Sequence, residues 1–348
     1  AAIADKKQTL PILGNILIRC EADNIKMLST DLQYQLEVNL QGANITEPGE
    51  TTIPAKKAAD IIRELPEGDV LFELDAESSK LTIKSSSGRY SLGTIAASNF
   101  PDFDVVKSEV IHKIQSEKLL SLFQKVSFAM ASHDWRNFLN GCYIEKRENS
   151  LEIAATDAYK IAIYKAELDT EGDFSAIVPR KTTIELMKIL PKQDEEISFY
   201  INSNNIVFMS KNFTFKSKLL DGNYPKYNQA LPQGEGTKIT FNRLDMINCL
   251  SRASVFTNDK FKGVKLKSEN GILDITAHNP NQESAEEKLD ATGNNTPFTI
   301  TFNVFNLKEV LNTIEDDEAS LVVFGGDKSA LIQTNDKSLV LCLTPLLI

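Results

Sequence analysis

The sequence predicts an α+β protein that is built from three copies of one module. Two stretches give the first observation, because IPAKKAADIIRELP at residues 53–66 and VPRKTTIELMKILP at residues 178–191 share a Pro, a Lys and the closing Leu-Pro. A third version, FNVFNLKEVLNTI, occupies residues 302–314. The second observation is the length of 348 residues, which is too long for one ordinary core. The third is a set of similar strands around each repeated stretch.

Each repeated stretch has the pattern of an amphipathic helix. Apolar residues stand at positions i, i+1 and i+4, which places them on one stripe of a helix. In two copies, Pro before the helix and Leu-Pro after it mark its boundaries. One such helix is common in any protein, but three in register indicate a duplicated module. The apolar sets are Ile61, Ile62 and Leu65; Leu186, Met187 and Leu190; and Val310, Leu311 and Ile314.

Strands with alternating apolar residues flank the three helices in the same order. One strand in each copy ends on a small polar pair that is typical of a turn. These strands are NIKMLSTD (24–31), SLEIAATD (150–157) and ILDITAHN (272–279). One strand earlier stand LGNILI (13–18), LNGCYI (139–144) and FKGVKL (261–266). Three more short strands follow each helix.

The repeat predicts three domains, at residues 1–108, 109–235 and 236–348. The second and third domains also open with a strand and another amphipathic helix, SEKLLSLFQKVSFAM (116–130) and NRLDMINCLSRAS (242–254). The first domain lacks this opening, so we expect its N-terminal part to be incomplete by roughly 15–20 residues. Each complete domain should hold two helices on one face of about seven or eight short strands.

Composition and motifs favour a globular protein without a catalytic site. Hydrophobic residues make up 42% and charged residues 25% of the chain, and no 18-residue apolar run occurs, so we expect a cytoplasmic protein with no membrane contact. Four scattered cysteines are typical of reduced interior thiols. His112, His133 and His278 lack metal-ligand spacing. The GGDKS segment at 325–329 has Asp between Gly and Lys and no helix after it, so no cofactor, metal or enzyme activity is expected.

The charge is segregated between elements. A net charge of −10 argues against nucleic acid at first, because binding to a duplex depends on neutralising phosphates. The five predicted helices, however, hold eleven basic and six acidic residues, a net +5, which leaves −15 for the remainder. Solvated helix faces are one interpretation. A cationic face repeated in three copies also suits sequence-independent contact with phosphates.

Several stretches together resemble one known family over the whole chain. They are TLPILGNILI, TTIPAKK, NFLNGCYIE through TDAYKIAI, IVPRKTTIELMKIL, SNNI, SKLLDGNYPKY and FKGVKL. They resemble the bacterial sliding clamp, the beta subunit of the replicative DNA polymerase III. The resemblance implies the DNA clamp fold, in which three repeated domains carry helices on an inner face and antiparallel sheets outside. It also implies a head-to-tail homodimer that encircles double-stranded DNA and slides as a processivity factor in replication and repair.

The resemblance implies a set of DNA-facing cations. Lys7 and the segment SHDWRNF (132–138) would lie in loops on one rim of the ring. The positions that match are Lys7, Lys56, Lys57, Arg63, His133, Arg136, Arg180 and Lys181.

The resemblance also implies how the ring closes. The last strand of the first domain would meet a helix end in the third domain of the other chain, with edge pairing and apolar anchors at the joint. The matching residues are Arg89, Tyr90, Leu92, Val255 and Phe256, with Glu286 and Glu287 as acidic partners for Arg89.

A pocket for short peptides is the last implied site. In the family it accepts segments of the polymerase alpha subunit, the clamp loader and other proteins with a clamp-binding motif. The family commonly has Gly-His-Arg-Leu where this chain has residues 158–161, and an Arg where it has Leu347, so partner fit differs. The matching positions are Leu139, Thr156, Ala158, Tyr159, Lys160, Ile161, Pro225, Phe261, Asn303, Leu331, Leu343, Thr344, Pro345, Leu346 and Leu347.

Two other classes of protein remain compatible with the sequence. A repeat scaffold for protein–protein interaction that never encircles DNA would also show three copies. An enzyme whose site is built between domains would lack a local motif. A topological link to circular DNA separates the clamp from the scaffold, and turnover of a nucleotide or nucleic acid would identify the enzyme.

Overall fold

The computed structural model describes residue 3 and residues 10–21, 23–258, 260, 262–293 and 296–347. Two predicted site residues, Lys7 and Phe261, lie outside these ranges. The chain forms two compact units, which do not follow the repeat boundaries. The first comprises Ala1–Glu117 and Lys188–Leu219, and the second comprises Lys118–Met187 and Leu220–Ile348. The three-domain boundaries therefore stay a prediction.

An eight-stranded antiparallel sheet forms the larger part of the first unit. Numbered in chain order, its strands lie side by side as β4 (Gly49–Pro54), β1 (Asn15–Glu21), β2 (Asn24–Thr30), β3 (Tyr34–Gln41), β15 (Phe213–Lys218), β14 (Asn205–Met209), β13 (Glu196–Ile201) and β8 (His112–Gln115). The pairing of β3 with β15 joins strands of the first and second copies of the module, with Leu36 opposite Phe215.

A three-stranded sheet and one helix complete the first unit. Its strands are β5 (Leu71–Asp75), β6 (Lys80–Lys84) and β7 (Arg89–Gly93), and β7 is an edge strand. Helix α1 (Ala55–Glu64) follows Pro54, which cannot donate a backbone hydrogen bond and suits a helix start. Ile18, Ile53, Ile83 and Leu92 are buried in one core beneath α1.

The apolar stripe predicted on α1 is correct for two of its three residues. Ile61 and Leu65 pack against the core, whereas Ile62 is exposed. Adjacent helical positions are about 100° apart around the axis, so Ile62 lies at the flank of the stripe. The small residues Ala55 and Ala58 supply the buried face instead.

A nine-stranded antiparallel sheet forms the larger part of the second unit. Its strands lie in the order β12 (Phe174–Pro179), β9 (Gly141–Arg147), β10 (Ser150–Thr156), β11 (Lys160–Glu167), β24 (Leu339–Leu343), β23 (Ala330–Gln333), β22 (Glu318–Val323), β16 (Thr237–Asn242) and β20 (Thr292–Gly293). The pairing of β11 with β24 joins the second and third copies in the same way as β3 joins β15, with Lys160 opposite Leu343.

The second unit also contains a four-stranded sheet and most of the helical residues. The strands are β19 (Ser284–Asp290), β18 (Ile272–His278), β17 (Gly263–Glu269) and β21 (Phe298–Asn303), so β19 is an edge strand. The helices are α2 (Ser116–Ser127), α3 (Arg180–Ile189), α4 (Arg243–Ala253) and α5 (Val304–Thr313). Leu119, Phe123 and Val126 of α2 are completely buried, which confirms the stripe predicted for that helix.

The repeated helices and the strands named from the sequence are present, and their boundaries differ by a few residues. The sequence missed two strands in every copy, namely β3, β11 and β19 and the strands just before the repeated helices, β4, β12 and β21, as well as the two-residue strand β20. Two of them form the junctions between copies, so their pairing is decided by distant strands rather than by local pattern.

The four cysteines are free thiols in different surroundings. Burial raises the pKa of Cys142 to about 12 and that of Cys342 to about 11, so both thiols stay protonated at neutral pH. Cys249 is buried as well, but Cys20 on β1 is only half-buried. In the part of the chain that the structure describes, no helix is long and apolar enough to cross a membrane.

Candidate functional site

A tight turn between β10 and β11 is the centre of the predicted peptide pocket. The Thr156 hydroxyl donates to the carbonyl of Lys160 at 2.8 Å and accepts from the N–H of Ala158 at 3.0 Å. Oδ1 of Asp157 accepts from the N–H groups of Tyr159 and Lys160, both at 2.9 Å. Ala158 has φ of 77°, a left-handed conformation that costs a residue with Cβ about 1 kcal/mol. Glycine has no Cβ and adopts this conformation without the cost, so Gly suits position 158.

The first copy contains the same turn, hydrogen bond for hydrogen bond. Thr30 donates to the carbonyl of Tyr34 at 2.8 Å, and Asp31 accepts from the N–H groups of Gln33 and Tyr34. Leu32 takes the left-handed conformation with φ of 71°. The Thr-Asp signal in the sequence therefore marks the module. Function at the second copy must come from what surrounds its turn.

A buried lysine ties this turn to the third copy. Nζ of Lys160 lies 2.7 Å from Oδ2 of Asp157 and 2.9 Å from Oε2 of Glu309, and the lysine side chain is only 7% exposed. Asp157 belongs to the turn, whereas Glu309 lies on α5. Because a buried cation is costly unless it is paired, the two carboxylates hold β11 and α5 together.

Aromatic side chains support the turn from below. The N–H of Thr156 donates to the hydroxyl of Tyr224 at 3.1 Å, and Tyr143 stacks on Tyr224 with ring centroids 5.2 Å apart. Ile161, Ile163 and Cys342 are buried in the same cluster, against which the predicted pocket residue Leu331 packs. The turn is thus held rigidly on an apolar base.

The C-terminal segment runs past this turn. The N–H of Thr344 donates to the carbonyl of Tyr159 at 2.8 Å, and the N–H of Leu346 donates to the carbonyl of Thr301 at 2.7 Å. Tyr159 is 59% exposed, Leu346 is half-buried and Leu347 is 77% exposed. We call these three side chains the tail surface. A backbone fixed by β pairing therefore presents apolar side chains to solvent.

Only part of the predicted pocket is accessible. Ala158, Pro225 and Thr344 are exposed with the tail surface. Asn303 caps α5 by accepting from the N–H of Phe305 at 3.0 Å, so its side chain has a structural role. The side chains of six other predicted pocket residues are buried, namely Leu139, Thr156, Lys160, Ile161, Leu343 and Pro345.

The predicted loop at residues 132–138 is braced around Asp134. Arg136 donates to both carboxylate oxygens of Asp134 at 2.9 and 2.8 Å, and this hydrogen bonding lowers the pKa of Asp134 to about 2. The Asn140 side chain accepts from the N–H of Asp134 and donates to its carbonyl. His133 is exposed and left-handed, with φ of 61°. Arg136 is therefore a partner within the loop as well as a candidate for phosphate.

The structure brings this loop next to the start of α3. The N–H of Arg180 donates to the carbonyl of Asn140 at 2.8 Å, and its guanidinium donates to the carbonyls of Ser127 and Met130 at 3.3 and 3.0 Å. Arg180 thus caps the C-terminal end of α2, a role that the sequence did not reveal. Lys181, the next residue, is exposed. His133, Arg136, Arg180 and Lys181 therefore share one region of the second unit.

At least six of the eleven helix cations contact groups of their own chain. On α1, Lys56 and Lys57 are exposed, and Arg63 is exposed beside Asp60 at 3.3 Å. The six are Arg63 with Asp60, Lys118 with the carbonyl of Glu167, Lys125 with Glu315, Arg180 with the end of α2, Arg243 with the carbonyl of Asp316, and Arg252 with Glu287. The cationic helix surface is weaker than residue counts alone suggest.

The predicted joint residues fall on two edges. Arg89 and Tyr90 are exposed on the edge strand β7, whereas Leu92 is 6% exposed and its side chain belongs to the core. Tyr90 and Leu92 point to the same face of β7, but only Leu92 is packed into the core with Ile18, Ile53 and Ile83. In the second unit, Val255 is 75% exposed and Phe256 is half-buried.

The acidic side of the predicted joint is partly occupied within the chain. Glu287 accepts from Arg252 at 2.7 and 2.8 Å, and this contact lowers the pKa of the carboxyl. Glu286 is exposed on the edge strand β19, which makes it the better candidate to meet Arg89. Among the described residues, no group of three His, Cys, Asp or Glu side chains is placed to hold a metal ion.

Solved structures with the same fold are bacterial DNA sliding clamps. A crystal structure of the DnaN sliding clamp of Pseudomonas aeruginosa bound to griselimycin superposes with a TM-score of 0.94, at 33% identity, over 100% of this chain and 95% of that one. A clamp from Bartonella birtlesii bound to the same compound gives 0.94 at 29% identity, with the same coverage. The fold is therefore the DNA clamp fold.

Sequence comparisons then identify the family. Family models of the DNA polymerase III beta subunit match residues 1–104 as the N-terminal domain, 113–226 as the central domain and 228–345 as the C-terminal domain. The beta sliding clamp of Pseudomonas aeruginosa is 34% identical over 338 residues, 97% of this chain and 92% of the relative. That of Escherichia coli K12 is 35% identical over 329 residues, 94% of this chain and 89% of the relative. The chain belongs to the DNA polymerase III beta subunit family, the beta sliding clamps, and acts in DNA replication as a processivity clamp.

The buried ion pair beside the turn gives a prediction for stability. Asp157→Asn keeps the acceptor for both backbone N–H groups but removes the charge that balances Lys160, so we expect the free energy of unfolding to fall by about 2 kcal/mol. Lys160→Met should cost less, because Asp157 still accepts from the backbone. Urea unfolding of both variants and of the double variant measures the coupling.

The double variant is the decisive comparison. Once Lys160 is replaced by Met, the Asp157→Asn change no longer leaves a buried cation short of a partner. We expect the two costs to be non-additive by about 1 kcal/mol or more. Strictly additive costs would contradict the role of this pair.

Proposed function

We propose that two copies of this chain close head to tail into a ring around duplex DNA, slide along it without reading bases, and tether the polymerase through the tail surface. Membership of the clamp family and the repeated module support the proposal. The single observation that carries it is the way in which copies of the module pair with one another, edge strand to edge strand.

The two junctions within the chain indicate a third between chains. The third strand of the first copy, β3, pairs with the last strand of the second copy, β15. The equivalent strand of the second copy, β11, which also follows the Thr-Asp turn, pairs likewise with the last strand of the third copy, β24. The corresponding strands that remain are β19 in the third copy and β7 in the first, and both are sheet edges. Pairing β19 of one chain with β7 of another would repeat the same junction and close a ring of two chains.

The chemistry of these edges fits such a joint. Strand β7 presents Arg89 and Tyr90, and β19 presents Glu286. Val255 is a large apolar side chain exposed to 75%, as expected for a residue that a partner covers. An unpaired edge of this kind is a ready template for another strand.

The proposed contact with DNA is electrostatic and loose. The candidates in the second unit share one region around the loop at 132–138, and Lys56 and Lys57 are exposed on α1. Phosphate contacts from such side chains position a duplex but carry no sequence information. A ring therefore holds DNA by topology rather than by affinity.

The proposed partners bind at the tail surface. We infer that short apolar peptides of the polymerase alpha subunit, the clamp loader and other proteins with a clamp-binding motif use Tyr159 and Leu347 as anchors, because exposed apolar side chains on a rigid backbone suit peptide capture. The rigid base under the turn supports this role. The Lys160–Glu309 contact holds α5 beside it.

Two remaining parts of the proposal concern what the chain does not do and where it works. We assign it no catalytic role, since processivity needs only enclosure and tethering. We place it in the cytoplasm, the reducing compartment that four free thiols favour. A scaffold that never encircles DNA is disfavoured by the clamp family relationship.

Topology is the direct test of enclosure. Protein loaded on nicked circular duplex by a bacterial clamp loader should co-elute with DNA in gel filtration and should be released when a single cut linearises the circle. Blocking both new ends with tightly bound protein is the control and should restore retention. Retention on linear DNA with free ends would contradict a ring.

A second prediction concerns closure. Val255→Asp places a carboxylate at the proposed joint, and burying it without a partner costs several kcal/mol, so we expect light scattering to give the mass of one 38.7 kDa chain. Val255 is exposed, so the fold should survive. Phe256→Asp should act in the same direction. A Val255→Asp protein that stays dimeric at micromolar concentration would place the joint elsewhere.

A third prediction concerns the tail surface. Leu347→Asp removes an exposed apolar anchor, so affinity for a polymerase-derived peptide should fall by about fivefold or more in calorimetry. The Leu347→Asp and Val255→Asp variants each change an exposed residue, so each serves as the control for the other. Leu347→Asp should remain dimeric, and Val255→Asp should bind the peptide normally. Unchanged peptide affinity for Leu347→Asp would remove this residue from the pocket.

A further inference from the structure

The only tryptophan of the chain stands almost fully in solvent. Trp135 is 89% exposed, although tryptophan is usually buried in large part. It lies in the loop at residues 132–138, between Asp134 and Arg136. An indole left in water at a surface indicates contact with something outside the chain.

The loop holds the indole in a fixed place. On one side, Asp134 is bound through its backbone N–H and carbonyl by the side chain of Asn140. On the other side, the Arg136 N–H and guanidinium bind the carboxylate of Asp134. The carbonyl of Asn140 accepts from Arg180 at the start of α3. Trp135 therefore stands between two anchored residues, so presenting it costs little further conformational entropy.

The surroundings of the ring favour a nucleobase. The Arg136 guanidinium lies 5.7 Å from the ring centroid, in cation–π contact with the indole. His133 is exposed in the same loop. Lys181 is exposed one residue after Arg180, whose N–H donates to the carbonyl of Asn140 just after the loop. The Arg136–Asp134 pair has no net charge, so Asp134 does not repel phosphate, and the positive charge of this region comes from Lys181. An aromatic ring with cations around it is the pattern of single-strand binding, in which bases stack on the ring and phosphates meet the cations.

We propose that Trp135 stacks on an unpaired base of the single strand that extends from a duplex end. The proposal deepens and rests on the proposed function, since it assigns a nucleic-acid contact to the clamp. Bases within a duplex are already stacked, so only an unpaired base offers the indole a free face. A peptide is the less favoured occupant, because a peptide anchor needs concave apolar walls and this indole protrudes.

The single tryptophan makes the contact directly measurable. With excitation selective for tryptophan over the eight tyrosines, the fluorescence of the whole protein reports on Trp135 alone, and stacking on a base should quench it. Titration with an oligothymidylate of about 16 nucleotides should give saturable quenching. A blunt duplex of the same length should quench little, and a duplex with a single-stranded overhang should behave like the single strand.

Variants separate stacking from charge. Trp135→Ala should bind the oligothymidylate about tenfold to a hundredfold more weakly by fluorescence anisotropy of a labelled strand, and Trp135→Phe should retain most of the affinity. Lys267→Gln, a change of an exposed cation on β17 that lies in none of the proposed sites, is the control and should leave the quenching unchanged. Trp135 is exposed, so both variants should fold.

Three results would overturn the proposal. Quenching by a polymerase-derived peptide and not by the oligothymidylate would assign the indole to the peptide pocket. No quenching by either, or equal affinity of Trp135→Ala and the parent protein, would remove the contact altogether. Failure of this inference stays distinguishable from failure of the ring, because Trp135→Ala should still be retained on nicked circles and released by linearisation.

Discussion

Backbone pairing between copies of the module is the interaction on which the rest of the structure depends. The β3–β15 and β11–β24 junctions are antiparallel ladders, so their hydrogen bonds come from the peptide groups and not from particular side chains. Each copy can therefore join the next in the same way while its side chains diverge. This pattern leaves two edge strands: β19, which corresponds to β3 and β11, and β7, which corresponds to β15 and β24. In the proposed ring, the same ladder would serve between chains as well as within them.

The β11–β24 junction also builds the tail surface. It sets the turn at Thr156–Lys160 beside the C-terminal segment, so that Tyr159 and Leu347 face solvent from a fixed backbone. The same placement buries Lys160, whose charge must then be balanced by Asp157 and Glu309. Stability of the junction and shape of the surface are thus coupled through one cation. A change of the lysine would be expected to alter both.

Sequence periodicity predicted the repeated helices and most strands, because burial of one face is a local property of the pattern. It could not predict which side chains on those elements meet distant partners. Leu92 and Tyr90 point to the same face of one strand, yet only the packing of the core decides that Leu92 is covered. Arg180 looks like a free cation in sequence, but the end of α2 takes its guanidinium. Exposure of Trp135 had no sequence signal, since neighbouring residues give no periodicity.

The distribution of charge suits a protein that stays on DNA while its electrostatic contacts with the phosphates are weak. Affinity for a duplex rises with the number of phosphates that are neutralised, and so does its dependence on salt. At least six of the eleven helix cations already contact groups within the chain, which reduces the number available for phosphates. The acidic remainder of the chain opposes non-specific adsorption elsewhere. Weak attraction alone could not keep such a protein on DNA, so its persistence there would have to come from closure of the proposed ring, and that closure would use the same edge pairing that joins the copies.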